Sequence, residues 1–125
     1  MLTKKLNIMN NTQHNVITSS HNLNFEVAPY ENNIDPQTNW MRFRVGTVQG
    51  LYTFTDTTLD ILAIDNAEPG NGHLNDVFEW FEYSCKKYKM DFRILEVMNK
   101  RFLKHLIEKR GFKKYSKDNV IKKFR

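Results

Sequence analysis

The residues whose types best permit chemistry are Pro69-Gly70-Asn71-Gly72-His73-Leu74, between an apolar segment ending at Ile64 and a helical pattern that begins at Leu74. The first N–H groups of a helix have no internal partner, and the helix dipole adds partial positive charge at that end. Glycine lets the backbone approach an anion closely. Gly70, Asn71, Gly72, His73 and Leu74 are therefore expected to present backbone amides to a phosphate. Taken alone, two glycines between a strand and a helix are a weak signal, and an ordinary turn is the favoured reading. Three carboxylates flank the same frame: Asp60 and Asp65 on or beside the strand before the loop, and Glu96 in the apolar run after the helix. Burial in such a run raises a carboxyl pKa and makes a proton acceptor. Glu96, on that ground, and Asp65 are the candidate catalytic residues; the alternative for Glu96 is a pair with Arg93 or a lysine, and for Asp65 and Asp60 an ordinary turn or strand-end role. Cys85 falls on an apolar helix face and is expected in the core, not as a nucleophile. The histidines show no ligand spacing, so no metal site is predicted.

These residues need a scaffold, and the apolar periodicity supplies one. Residues 23–28 alternate through Leu23, Phe25 and Val27, which predicts a strand. Residues 29–39 carry Pro, Asn and Asp and predict a loop. Met41, Phe43 and Val45 share one strand face, with Arg42 and Arg44 on the other. A turn over 46–50 and a return strand over 51–55 complete a hairpin. Residues 59–64 are a compact apolar strand. From Leu74 the period becomes helical, with Leu74, Val77, Phe78, Phe81, Cys85 and Tyr88 on one face. A short buried strand follows over 92–97. A helix over 101–110 comes next, with Phe102, Leu103, Leu106 and Ile107 inward and Gly111 as its stop. Residues 119–124 predict a last strand. The strand–helix–strand unit implies a right-handed crossover and two parallel neighbours. The fold class expected is α/β in the α+β sense: a mixed, mostly antiparallel sheet with two helices packed on it.

A chain of 125 residues, 40% hydrophobic and 26% charged, suits one globular domain. We expect it over 23–125, preceded by a polar segment over 1–22 that is either disordered or adds edge strands such as Leu6-Asn7-Ile8 and Val16-Ile17. No apolar run approaches the ~20 residues of a membrane span, and no secretory pattern is expected. A lone cysteine fits a reducing compartment. The net charge of +5 is lopsided, since fifteen of the nineteen Lys/Arg but only four of the fourteen Asp/Glu lie from Lys86 to Arg125. Such a distribution suits either an anionic partner or two solvated helix faces.

The order and spacing of these motifs resemble the GNAT N-acyltransferase superfamily. The family's strand ending in Leu-x-Val corresponds to Leu62-Ala63-Ile64, and its R/Q-x-x-G-x-G/A loop to residues 69–74. A later strand reads Ile94-Leu95-Glu96-Val97-Met98-Asn99, and the final helix closes on Glu108-Lys109-Arg110-Gly111-Phe112. The resemblance spans residues 41–115 and implies an acyl-CoA cofactor, acetyl-CoA in the simplest case. It implies that Ile64 holds the pantetheine arm by its main chain, that Gly70, Asn71, Gly72, His73 and Leu74 cradle the pyrophosphate, and that Asn99 faces the cofactor arm. Lys100, Arg101 and Lys104 are then available to the nucleotide phosphates. Five departures accompany it, the first being that Asn99 is one residue out of register with the following helix. Pro69 replaces an Arg or Gln donor and has no N–H, Leu74 replaces a small residue, and Ile107 stands where the family places a proton-donating Tyr. Residues 29–40 are too few for the helical pair that shapes the family's acceptor side.

The partner so implied is an amine acceptor, either a small molecule or a protein. Two other readings stay open. One is a GNAT-fold protein without catalysis that serves as a binding or structural part in an assembly, as in small bacteriophage proteins of this kind; the short chain and its Asn, Lys and Ile content agree with that. The other is a basic nucleic-acid module using residues 86–125, with Phe92, Phe102, Phe112, Tyr115 and Phe124 as stacking groups; those aromatics fit core positions better, so nucleic acid ranks last. No membrane association is expected. The location implied is the cytoplasm, or the host cytoplasm or virion for a phage protein.

Overall fold

Alternation builds the first half of the sheet. In the computed structural model, which describes residues 23–30 and 39–125, β1 (Phe25–Pro29), β2 (Met41–Val45), β3 (Val48–Phe54) and β4 (Thr58–Asn66) run antiparallel in sequence order. Phe25, Phe43, Val45, Val48, Tyr52, Leu59 and Ile61 are buried on one face. Glu26, Arg42, Arg44, Gln49 and Asp65 are exposed on the other. The chain then forms α1 (His73–Tyr88), β5 (Asp91–Leu95), α2 (Lys100–Lys109), β6 (Lys113–Ser116) and β7 (Asn119–Lys122). The sheet order is β1-β2-β3-β4-β5-β7-β6, and β4–β5 is the parallel pair. This is the mixed, mostly antiparallel sheet with two packed helices that the sequence predicts, including the parallel crossover around α1.

One aromatic cluster holds the layers together. Val77, Phe78, Trp80, Phe81 and Cys85 of α1 are buried against the strands. Phe81 lies 5.2 Å from Phe43 and 5.9 Å from Phe92, ring centre to ring centre, and Phe25 stacks on Trp80 at 3.9 Å. Phe78 touches Phe102 of α2 and Phe112 beyond it, at 6.5 and 6.1 Å. Phe92 and Phe112 are therefore core residues and cannot stack on bases. Ile107 differs from the sequence expectation: it is 39% exposed, and Leu106 alone of α2 is fully buried.

Several boundaries also differ, each for a local reason. The β2–β3 turn is Gly46-Thr47 alone, because left-handed Gly46 (φ 58°) allows a tight reversal and Val45 pairs directly with Val48. Strand β4 continues through Asp65 and Asn66, which pair with Gln49 and Val48 beyond a bulge. Strand β5 stops at Leu95 because Glu96 is left-handed, at φ 53°. Strand β6 is fully exposed and so carries no alternation to find. The edge pieces expected at Leu6–Ile8 and Val16–Ile17, and the centre of the 29–39 loop, lie outside the described residues.

The far end of the sheet is fastened by Asp91. Its buried carboxylate accepts from the backbone N–H groups of Phe124 (3.0 Å) and Arg125 (3.3 Å) and from the Arg125 guanidinium (3.0 Å). Burial alone would raise this carboxyl, but those donors outweigh it and hold it below its ordinary value. A depressed folded-state value stabilises the fold above the unfolded value of about 3.9 and loses that stabilisation as pH falls through the folded value. Asp91→Asn is expected to lower the urea midpoint at pH 7, with the gap to wild type narrowing as the pH drops below about 4. A gap that stays constant from pH 7 to pH 3 would count against the clamp.

Candidate functional site

Strands β4 and β5 pair in register from Thr58↔Asp91 to Leu62↔Leu95 and then part. The next residue on each strand, Ala63 (φ 55°) and Glu96 (φ 53°), is left-handed. Neither is glycine, and a non-glycine residue in that region costs about 1–2 kcal/mol. Paired strain of this kind concentrates at sites where the surrounding structure enforces it. The fork forms a slot of about 210 Å³ lined by Ala63, Ile64, Leu95, Glu96, Val97 and Phe102, among others. Strand β5 turns its amides away from β4: Val97 N–H donates to Asp118 C=O at 2.7 Å, and Glu96 N–H to Asn119 Oδ1 at 2.8 Å. A strand inside a sheet aims alternate backbone groups at each neighbour. Beyond Leu62, where that pairing ends, β4 lines the slot with Ala63 and Ile64.

The loop from β4 to α1 is pinned by polar side chains. Thr47 Oγ1 donates to Asn66 Oδ1 (2.7 Å) and accepts from Asn71 Nδ2 (2.8 Å). His73 Nδ1 accepts from Thr47 N–H at 3.2 Å, which places its ring proton on Nε2. A Cβ at Gly46 would lie 2.3 Å from His73 Nδ1, so only glycine lets the turn and the loop meet. Sequence reasoning missed this cluster; the recurrence of Thr, Asn and His around both turns was its only trace.

The loop amides are only partly available. His73 N–H is already held by Asn71 Oδ1 at 3.0 Å. The first helical bond runs from Asp76 N–H to Gly72 C=O at 3.3 Å, so the N–H groups of Leu74 and Asn75 precede it. Gly72 is left-handed at φ 86°. The Leu74 side chain packs against the core and so does not crowd the loop. Arg110 was not anticipated here: its guanidinium donates to Asn75 Oδ1 at 3.2 Å and lies 4.4 Å from the Phe78 ring. It brings positive charge to the first turn of α1.

The structure sorts the predicted carboxylates. Asp60 is bound bidentately by Arg93, at 2.7 and 2.6 Å, and is not free to act. Glu96 is exposed, not buried, because its left-handed backbone lifts it off β5; the pair expected with Arg93 is replaced by Arg93–Asp60. It lines the slot together with Ile64 and Asn99. Asp65 lies on the sheet face opposite the core and lines a second, larger cavity. Ala63 borders both cavities. Asn99 caps α2, accepting from Phe102 N–H at 3.0 Å, which leaves its amide nitrogen for the slot. Burial pushes the Cys85 thiol far up, as suits a core residue.

The chain matches no family model and no curated protein sequence. Among the described residues no helix is long and apolar enough to cross a membrane.

Proposed function

We propose that this chain is an acyl-CoA-dependent N-acyltransferase of GNAT type, transferring an acetyl or similar acyl group to an amine. The observation that carries this reading is the fork of β4 and β5 at left-handed Ala63 and Glu96. The slot is smaller than the roughly 300–1,000 Å³ of a drug-sized pocket, which suits one extended arm. When bound, acyl-CoA supplies an acyl group already activated as a thioester. Ile64 holds the arm through the open edge of β4, and Asn99 offers its amide from the other wall. The N–H groups of Gly70, Asn71, Gly72 and Leu74 receive the pyrophosphate, with Arg110 supplying the guanidinium that Pro69 cannot. Asp65 would take one proton from the acceptor ammonium; the freed amine would attack the thioester carbonyl from the Ala63 side of the slot, the C–N bond forming as the C–S bond breaks, and its second proton would leave with CoA as the free thiol. Glu96 is the second base candidate.

A binding role without turnover is the other reading. It is favoured by the His73 amide, which is spent inside the loop, and by Ile107, which has no proton to give to a leaving thiolate.

Acetyl-CoA titration followed by thermal melting tests the site, and thiol release in the presence of amines separates the two readings. A ligand at a hundred times its Kd stabilises the fold by about 2.7 kcal/mol. Gly72→Ala and Gly72→Glu both strain the left-handed cap, but only the second places a negative charge there. The melting shift is expected in wild type and Gly72→Ala and is expected to vanish in Gly72→Glu. No shift at millimolar acetyl-CoA would sink both readings of the slot.

A further inference from the structure

The cavity on the other side of Ala63 is the larger one, about 660 Å³, and it opens on the sheet face opposite the core. Four charged side chains border it, and two neutralise each other: Arg44 donates from Nε (3.0 Å) and Nη2 (2.7 Å) to Glu26 Oε2. Arg42 and Asp65 remain, with no partner among the described residues. We infer that this cavity binds a small zwitterion, a primary amine carrying a carboxylate, with the carboxylate at Arg42 and the ammonium at Asp65.

Register fixes the separation of the two charges. Arg42 stands opposite Leu51, which stands opposite Leu62; Arg44 stands opposite Gln49, which stands opposite Asp65. Arg42 and Asp65 are thus two strands and two residues apart, roughly 12 Å between Cα atoms at strand spacings of ~4.8 Å and rises of ~3.4 Å per residue. An extended arginine and a short aspartate span most of that distance and leave a gap between their charged ends. Leu51 lies between them and bounds the cavity with an apolar side chain. A short aliphatic chain with opposite charges at its ends complements this arrangement. A guanidinium accepts a carboxylate bidentately, whereas an amine without a carboxylate leaves Arg42 unanswered. Asp65 lies two residues beyond Ala63, the residue common to both cavities, so the amine end is the one turned toward the slot.

As an acceptor assignment this rests on the acyltransferase reading; as a binding site it does not. The test therefore measures binding and transfer separately. Binding of 4-aminobutanoate to the full chain is followed by calorimetry and amide NMR, with butylamine and butanoate as probes of one charge each. The zwitterion is expected to bind at least tenfold more tightly than either control. Arg42→Gln is expected to abolish the advantage over butylamine, and Asp65→Asn the advantage over butanoate. Equal binding of butylamine and the zwitterion, or a preference unchanged in both variants, overturns the inference. Thiol release from acetyl-CoA is then measured with each amine. Selective zwitterion binding without any acetyl-CoA response keeps the site and removes the acyltransferase reading. Acetyl-CoA turnover with no preference for the zwitterion keeps that reading and removes the inference. If neither ligand binds, both fall.

Discussion

Arg93→Ala is expected to lower the unfolding free energy by about 3–5 kcal/mol, the usual effect of stranding one member of a buried ion pair. Asp60 is the member left behind. Its side chain is 5% exposed, and both of its oxygens are held by one guanidinium across the parallel β4–β5 pair. Asp60 holds Arg93 above its ordinary value through that bond, in spite of Arg93's partial burial. Domains of this size have only about 5–15 kcal/mol in all, so the variant is expected to lose about a fifth or more of its stability in urea. The control is Asp60→Leu with Arg93→Met, which removes both charges. Replacing a buried pair by apolar residues is often neutral, so the double variant should recover most of the loss. An Arg93→Ala variant within 1 kcal/mol of wild type would mean that Asp60 is not desolvated as the structure has it. The pair also fixes register where it matters for the slot, since Asp60↔Arg93 lies two residues before the last paired position, Leu62↔Leu95.

That ion pair marks the boundary of what the sequence discloses. The parallel crossover, the two helices and the core face of β2 are legible because apolar periodicity is a local signal, and Met41, Phe43 and Val45 carry it plainly. Strand β6 is illegible because a solvent-exposed edge strand has no buried face to alternate. Ile64, Glu96 and Asn99, which the sequence singles out, line the slot, but none of residues 69–74 is among its lining residues. Its carboxylates are not legible, since Asp60 meets Arg93 from 33 residues away and nothing local distinguishes Asp60 from Asp65, which has no ion-pair partner among the described residues. Glu96 misleads for a related reason. Its apolar neighbours predict burial, but a left-handed backbone at that one residue turns it outward. Only pairing across strands sets such a conformation.

Gly50→Ala is the second substitution with a large expected effect, because it reaches the slot through the bulge. Gly50 stands opposite Phe43 on β2 and faces the bulged segment Ala63-Ile64 on β4. A Cβ there would lie 2.9 Å from Phe43 Cε1 and 3.1 Å from the backbone Cα of Ile64. The Phe43 ring cannot swing aside freely, being 2% exposed and packed on Phe25 at 5.8 Å and Phe81 at 5.2 Å. Relief must come instead from β4 moving outward. Two terms compete. Removing glycine's freedom in the unfolded chain favours alanine by about 0.4–1 kcal/mol. Overpacking a filled site costs about 1–3 kcal/mol. Overpacking is expected to win, with a net loss of about 1–2 kcal/mol in urea unfolding for alanine and a larger loss for valine. The distinctive consequence is functional. A β4 displaced at Ile64 narrows or widens the slot at the wall we propose for the acyl-CoA arm, so on that proposal the acetyl-CoA melting shift should shrink in Gly50→Ala by more than stability alone accounts for. Asp91→Asn provides the comparison, because it weakens the fold at the far end of the sheet and should leave the shift intact. Equal shifts in the two variants would show that the bulge does not govern the slot.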